Sequence, residues 1–217
     1  MDWDKKILLV YITSITFLVF SGRLLVPTLS SNIENSLSIS HAEIGLGMTL
    51  LWLFYGLMQF PSGILSDEKG GKPVANFGIF IFASAFLLMS ITYSYFTFLI
   101  ALIMMGIGFG CFTTVSIKMI SNRFTKKRGK ILGVNSAMAS LAGITPIFIL
   151  PFADKFGWRM LIFIWAIISF IIGILFFRNV VEHNKETQSK REGVQNGVKI
   201  FKEKNTYDKA DYCPYKN

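Results

Sequence analysis

Between Ile7 and about Leu29 the only charged residue is Arg23. A guanidinium inside an apolar run is costly unless it lines a polar cavity or meets a partner. Thr13, Thr16, Phe20 and Pro27 recur with it at near-helical spacing and make one more polar stripe. Such a stripe can present a fixed cation to an anionic solute. The competing reading is snorkelling: Arg23 lies roughly 24 Å from Ile7 at 1.5 Å per residue, so its head can reach an interface. Tyr55 and Gln59, one turn apart in the next apolar run, can add hydrogen bonds to the same cavity or tie helices together.

A second concentration of chemistry is "PSGILSDEKGGKP", residues 61–73, a charged and glycine-punctuated stretch between two charge-free runs. It reads as a short turn. Its Asp67 can pair with basic residues of neighbouring segments, Lys72 or Arg128 among them, whereas Lys118 is expected at the headgroups. Asn135 and Ser136 are read as packing contacts. Paired carboxylates, His/Asp sets and nucleophile–base sets are missing from the apolar runs, so an enzyme is not expected. His41 and His183 are isolated in polar segments. Cys111 falls in an apolar run and Cys213 in the polar tail, so neither a disulfide nor a metal site is expected, and no cofactor is implied.

The elements that must position these residues are membrane helices. The 217 residues are 52% hydrophobic and only 16% charged, below the quarter usual for soluble domains. Charge-free runs cover Ile44–Ser66, Pro73–Ile117, Ile131–Ala153 and Met160–Phe177, and the second is long enough for two spans of roughly 20 residues. With the first run they predict six spans, at about 7–29, 44–66, 74–93, 96–120, 130–152 and 159–178. The first is read as a retained helix rather than a signal peptide, because it is long and five more follow. The fold class expected is an all-α, six-transmembrane-helix bundle over residues 1–180.

Loops complete the pattern. An asparagine-rich loop is expected over 30–42, and Ser40 with Glu43 makes a capping box for the second helix. The glycines around Gly106–Gly110 allow close helix approach. Of the 22 basic residues, all but Arg23, Lys155 and Arg159 fall on one side of the six spans. That bias places both termini in the cytoplasm of a multi-pass protein of the cell membrane. The net charge of +9 then needs no nucleic acid, and the lipid bilayer is the partner. Residues 181–217 turn polar and read as a disordered cytoplasmic tail.

On these residues the chain resembles the major facilitator superfamily of secondary transporters, as the N-terminal six-helix half. The family's signature between helices 2 and 3 is Gly-x-Leu-x-Asp-Arg-x-Gly-Arg-Arg/Lys. Gly63, Leu65, Asp67, Gly70 and Lys72 match it, while Glu68 and Gly71 stand where the family favours basic residues. "YGLMQFPSG" (55–63), "NRFTKKRGKILG" (122–133) and "FGWR" (156–159) resemble the family's helix 2 end, its 4–5 loop and the start of its helix 6. The helix 4 arginine of the family is absent from Ala101–Met105, and its antiporter glycine-proline signature is only partly echoed by Gly143 and Pro146. The general look is similar to the branch handling organic anions and monocarboxylates.

The resemblance implies alternating access on a small-molecule solute. Arg23, Thr16, Tyr55 and Gln59 would then line the substrate path, and Gly63, Leu65, Asp67, Gly70, Lys72 and Arg128 would form the inner gate. The family is built from two six-helix halves with substrate between them. The tail is similar in length and polarity to the family's central linker. Transport therefore implies a partner, either a second half or a second copy as a homodimer. The alternative expectation is a non-transporting membrane fragment, or a regulatory half that pairs with a full-length relative.

Overall fold

The computed structural model describes residues 3–180. The tail from 181 onward, with His183 and Cys213, lies outside the described residues. Six helical stretches are long and apolar enough to cross a membrane. No strand forms among the described residues. The protein is an all-α six-span bundle.

In chain order the helices are α1 (Trp3–Thr28), α2 (Ser30–Leu37), α3 (His41–Lys69), α4 (Gly71–Ser90) and α5 (Tyr95–Arg123). A 3₁₀ turn at Thr125–Lys127 leads into α6 (Arg128–Leu141). A second 3₁₀ turn, Ala142–Ile144, joins α6 to α7 (Thr145–Phe156), and α8 (Trp158–Asn179) closes the bundle.

Three local features differ from the sequence expectation. The loop expected at 30–42 is largely helical. Leu29, Ile33 and Leu37 recur every fourth residue, and Leu29 and Ile33 are wholly buried, so α2 continues α1 almost without a break. The backbone bonds from Leu29 N to Leu25 O (2.9 Å) and from Ile33 N to Leu29 O (3.0 Å) carry it across the junction.

The second span also runs on as helix past its expected end at 66 to Lys69, which shortens the turn expected over 61–73. Pro61 sits inside α3, and the link to α4 is the single residue Gly70. Its φ of 95° and ψ of 161° belong to a region essentially reserved for glycine. The 130–152 span, finally, is two helices. The 3₁₀ turn precedes the Thr145-Pro146 step, where the ring lacks a donor for the preceding turn.

The capping box forms as expected: Ser40 Oγ accepts from Glu43 N at 3.3 Å, and Glu43 Oε2 accepts from Ser40 N at 2.7 Å.

α5 is the most buried span of the bundle, and its glycines set two close approaches. A Cβ at Gly108 would lie 2.6 Å from Phe82 Cβ of α4. On the opposite side, a Cβ at Gly110 would lie 2.6 Å from the Tyr55 carbonyl oxygen of α3, and one at Gly106 would collide with that of Leu51. Small residues let membrane helices meet at backbone distance, where packing rather than water exclusion drives association. Phe82, Phe86 and Phe109 fill the space beside them, with ring centroids 5.3–5.4 Å apart.

At the end holding α2 and the α4–α5 turn, Arg159 of α8 ties three segments. It donates to Ser36 Oγ (2.7 Å) and to the Thr92 carbonyl (2.9 Å), and it packs on the Tyr93 and Trp158 rings.

Burial is uneven across the spans. About 61% of the α5 span and 56% of α4 are buried in the bundle, against 17% for α3 and 17% for Thr125–Phe156. Leu53, Leu57 and Phe60 on α3, and Ile147 and Phe148 on α7, lie exposed.

Candidate functional site

Arg23 projects from α1 into an aromatic cage. Its guanidinium carbon lies 4.2 Å from the Trp52 ring centroid and 4.8 Å from those of Tyr55 and Phe20. Phe20 precedes Arg23 by one turn on α1, and Trp52 and Tyr55 are one turn apart on α3. The helical repeat therefore aims three rings at one cation. Trp52 and Tyr55 meet edge to face, 5.6 Å between centroids, which holds both against rotation. Each ring face attracts the cation by about 0.5–2 kcal/mol, more as water is excluded.

No carboxylate lies within ion-pair range of Arg23 among the described residues. The rings cover faces of the guanidinium, while its in-plane N–H fork matches a carboxylate.

The other expected path residues divide. Tyr55 joins the cage directly. Gln59, one turn further along α3, is half-buried, and its side chain makes no hydrogen bond among the described residues. Thr16 is buried: it is 3% exposed and donates to Asn135 Oδ1 on α6 at 2.8 Å. A second polar tie runs parallel, with the Thr145 hydroxyl shared between Ser21 Oγ (2.9 Å) and the Ala142 carbonyl (2.6 Å). Both ties join α1 to the broken span. Thr13 turns its hydroxyl back to the Leu9 carbonyl at 2.8 Å.

At the end of the bundle where the N-terminus, the Gly70 link and the basic 122–130 segment gather, Asp67 makes an ion pair with Lys118 of α5. Lys118, expected at the headgroups, is thus a partner of Asp67 beside the expected Lys72 and Arg128. In the sequence Asp67 and Lys118 are each only the first charge after an uncharged run; the close glycine contact of α3 with α5 is what brings them together.

Lys72 sits half-buried, with its ammonium 5.0 Å from the Phe177 ring of α8. Gly63 faces α5 near Thr114, Leu65 is exposed, and Gly70 makes the α3–α4 link. Arg128 is exposed at the first position of α6.

Trp52 was not singled out from sequence. Its spacing of three from Tyr55 was the available clue, but an aromatic at helical spacing in a membrane span usually faces lipid or packing. Only the approach of α1 places Arg23 against it.

The family model described as Major Facilitator Superfamily matches residues 11–207. The probable L-galactonate transporter of Escherichia coli is 26% identical over 152 residues, covering 68% of this chain and 34% of that protein. The hexuronate transporter of Bacillus subtilis is 26% identical over 157 residues, covering 71% and 37%. The membrane sensor protein UhpC of Escherichia coli is 22% identical over 174 residues, covering 79% and 39%. The chain thus spans well under half the length of these relatives. Among solved structures, an inward-facing bacterial homologue of the human lysosomal transporter Spinster superposes with a TM-score of 0.75 at 18% identity. That match covers 84% of this chain and 44% of the other.

Proposed function

The chain belongs to the Major Facilitator Superfamily, and from that premise we propose that it is one six-helix half of a secondary transporter for a small organic anion. The observation that carries the reading is the Arg23 cage, a fixed cation held by Phe20, Trp52 and Tyr55. Two relatives are named for sugar acids, galactonate and hexuronate. Both are carboxylates, the group a guanidinium fork binds in bidentate fashion. Tyr55 and the free amide of Gln59 supply hydrogen bonds for the hydroxyls of such a solute.

Alternating access needs a second bundle against which this one rocks. The thinly buried α3 and α6–α7 spans support that requirement, since one half alone leaves them uncovered. The second half is either a separate stretch of polypeptide or a second copy. The Asp67–Lys118 pair, with Gly63, Leu65, Gly70, Lys72 and Arg128 around it, serves as the cytoplasmic gate, and such contacts form in one state and break in the other. Both termini then lie in the cytoplasm of a cell-membrane protein. A second reading, a regulatory half that does not transport, is favoured by the likeness to a membrane sensor protein.

The test is hexuronate binding to the purified chain and uptake into cells producing it, each paired with Arg23→Gln. Binding and uptake that both fall at least tenfold in the variant support the transporter. Binding without uptake refutes a transporter made of two copies and leaves a separate second half or the regulatory half. No binding by the unaltered chain refutes the anion site.

A further inference from the structure

α7 and α8 touch sparingly and leave a half-open groove of about 230 Å³ between them. Phe148, Ile149 and Phe152 of α7 face Leu161, Ile164 and Trp165 of α8 across it, with Thr145 at its deep end. α1 supplies contacts beneath: the Trp165 indole N–H donates to the Leu18 carbonyl at 3.5 Å, and Thr145 meets Ser21. The two polar groups of the lining are therefore already engaged within the protein. What remains is a hydrocarbon surface, and a groove lined this way does not hold ordered water.

The dimensions suit a chain rather than a ring system. From Thr145 to Phe152 the groove follows seven residues of α7, about 10 Å at 1.5 Å per residue. Its volume is below the roughly 300 Å³ at which pockets for drug-sized ligands begin.

The charge lies at one end. On the α7 helix Lys155 and Phe156 follow Phe152 by three and four residues and continue the groove face, and the Lys155 ammonium rests 5.4 Å from the Phe156 ring. Asp154 follows by two residues and falls on the opposite side of the helix. Arg159 is engaged by Ser36 and Thr92. Lys155 is thus the one charge of α7 and the α8 start that stands over the mouth of the groove.

We propose that this groove binds one acyl chain of an anionic phospholipid, with the phosphate at Lys155, in the leaflet next to the α7–α8 turn. The inference needs only that the six spans cross a bilayer; in the transport reading, the second half must leave the α8 side of α7 to lipid.

The full chain is reconstituted in phosphatidylcholine vesicles containing increasing phosphatidylglycerol, with one or the other lipid brominated midway along an acyl chain. Bromine quenches indole fluorescence on contact, and the difference from Trp165→Phe isolates the groove signal. Half-maximal quenching is expected at about fivefold lower mole fraction for phosphatidylglycerol, the ratio equivalent to about 1 kcal/mol per basic side chain at a membrane surface. Lys155→Gln abolishes that ratio, and Ile164→Phe, which fills the groove, lowers quenching by both lipids. Identical curves for the two lipids, or a preference surviving Lys155→Gln, overturn the proposal. Loss of quenching as protein density rises also overturns it, because another protein chain then fills the groove. If Trp165→Phe unfolds, native mass spectrometry of phosphatidylglycerol retained by the unaltered chain and by Lys155→Gln reads the same preference.

Discussion

Gly110→Ala places a methyl group where α5 meets α3, and its consequence can be worked from distance. The new Cβ lies 2.6 Å from the Tyr55 carbonyl oxygen and 3.0 Å from Met58 Cβ, whereas ordinary contact begins near 3.4 Å. α3 must therefore retreat by about 0.8 Å, and the obstacle is backbone, which cannot rotate away as a side-chain tip can. Overpacking of this kind costs about 1–3 kcal/mol. For a domain of this size each kcal/mol moves the melting point by about 2–4 °C, so a fall of roughly 2–12 °C is expected.

The retreat also carries Tyr55, and with it one wall of the Arg23 cage, although Gly110 touches neither ring. Hexuronate affinity should weaken along with stability. The assay is thermal unfolding in mild detergent, with Gly56→Ala as the matched control. Gly56 lies on the same α3 helix and has nothing within 4 Å of its added Cβ, so it should match the parent or gain up to about 1 kcal/mol from helix propensity. Equal melting points for Gly110→Ala and the parent would refute the claim that backbone contact between α3 and α5 organises the bundle.

Trp52→Leu removes the nearest cage ring and should weaken anion binding about fivefold for a loss of about 1 kcal/mol, read by titration calorimetry, with Trp52→Phe intermediate. Asp67→Asn and Lys118→Gln should each change the uptake rate, and the exchanged pair Asp67→Lys with Lys118→Asp should restore part of it. Because both side chains are partly exposed, their coupling in thermal stability should stay below about 1 kcal/mol. Thr16→Val strips a buried donor from Asn135 and should cost about 1–3 kcal/mol in denaturation, while adding Asn135→Leu recovers much of it. Anion affinity that drops in Thr16→Val with no change in stability would place Thr16 on the solute path.

Much of the architecture was legible in the chain itself. Six runs with few charges must be helices, because in hydrocarbon each backbone N–H and C=O has to be satisfied within its own segment. The capping box at Ser40 and Glu43 was readable for the same local reason. So was the isolation of Arg23, since a lone charge in an apolar run stands out without any knowledge of its neighbours.

Partners across helices were not legible. Spacing put Thr16 on the Arg23 stripe, yet the approach of α6 turns it to Asn135. Asp67 is expected beside bases of the loops, and glycine-mediated contact of α3 with α5 adds Lys118. The run 131–153 looked continuous, and the break at Ala142–Ile144 emerges where Pro146 meets the Ser21–Thr145 tie to α1.

The sequence by itself determined the number of spans, the all-helical class and where charge is scarce, because these follow from the bilayer and the local backbone. Only the tertiary structure decided that Arg23 is caged by Trp52 and Tyr55, and that α3 and the α6–α7 span are left thinly covered. Which face of one helix meets which face of another depends on the shapes of separate helices, and no local periodicity encodes that.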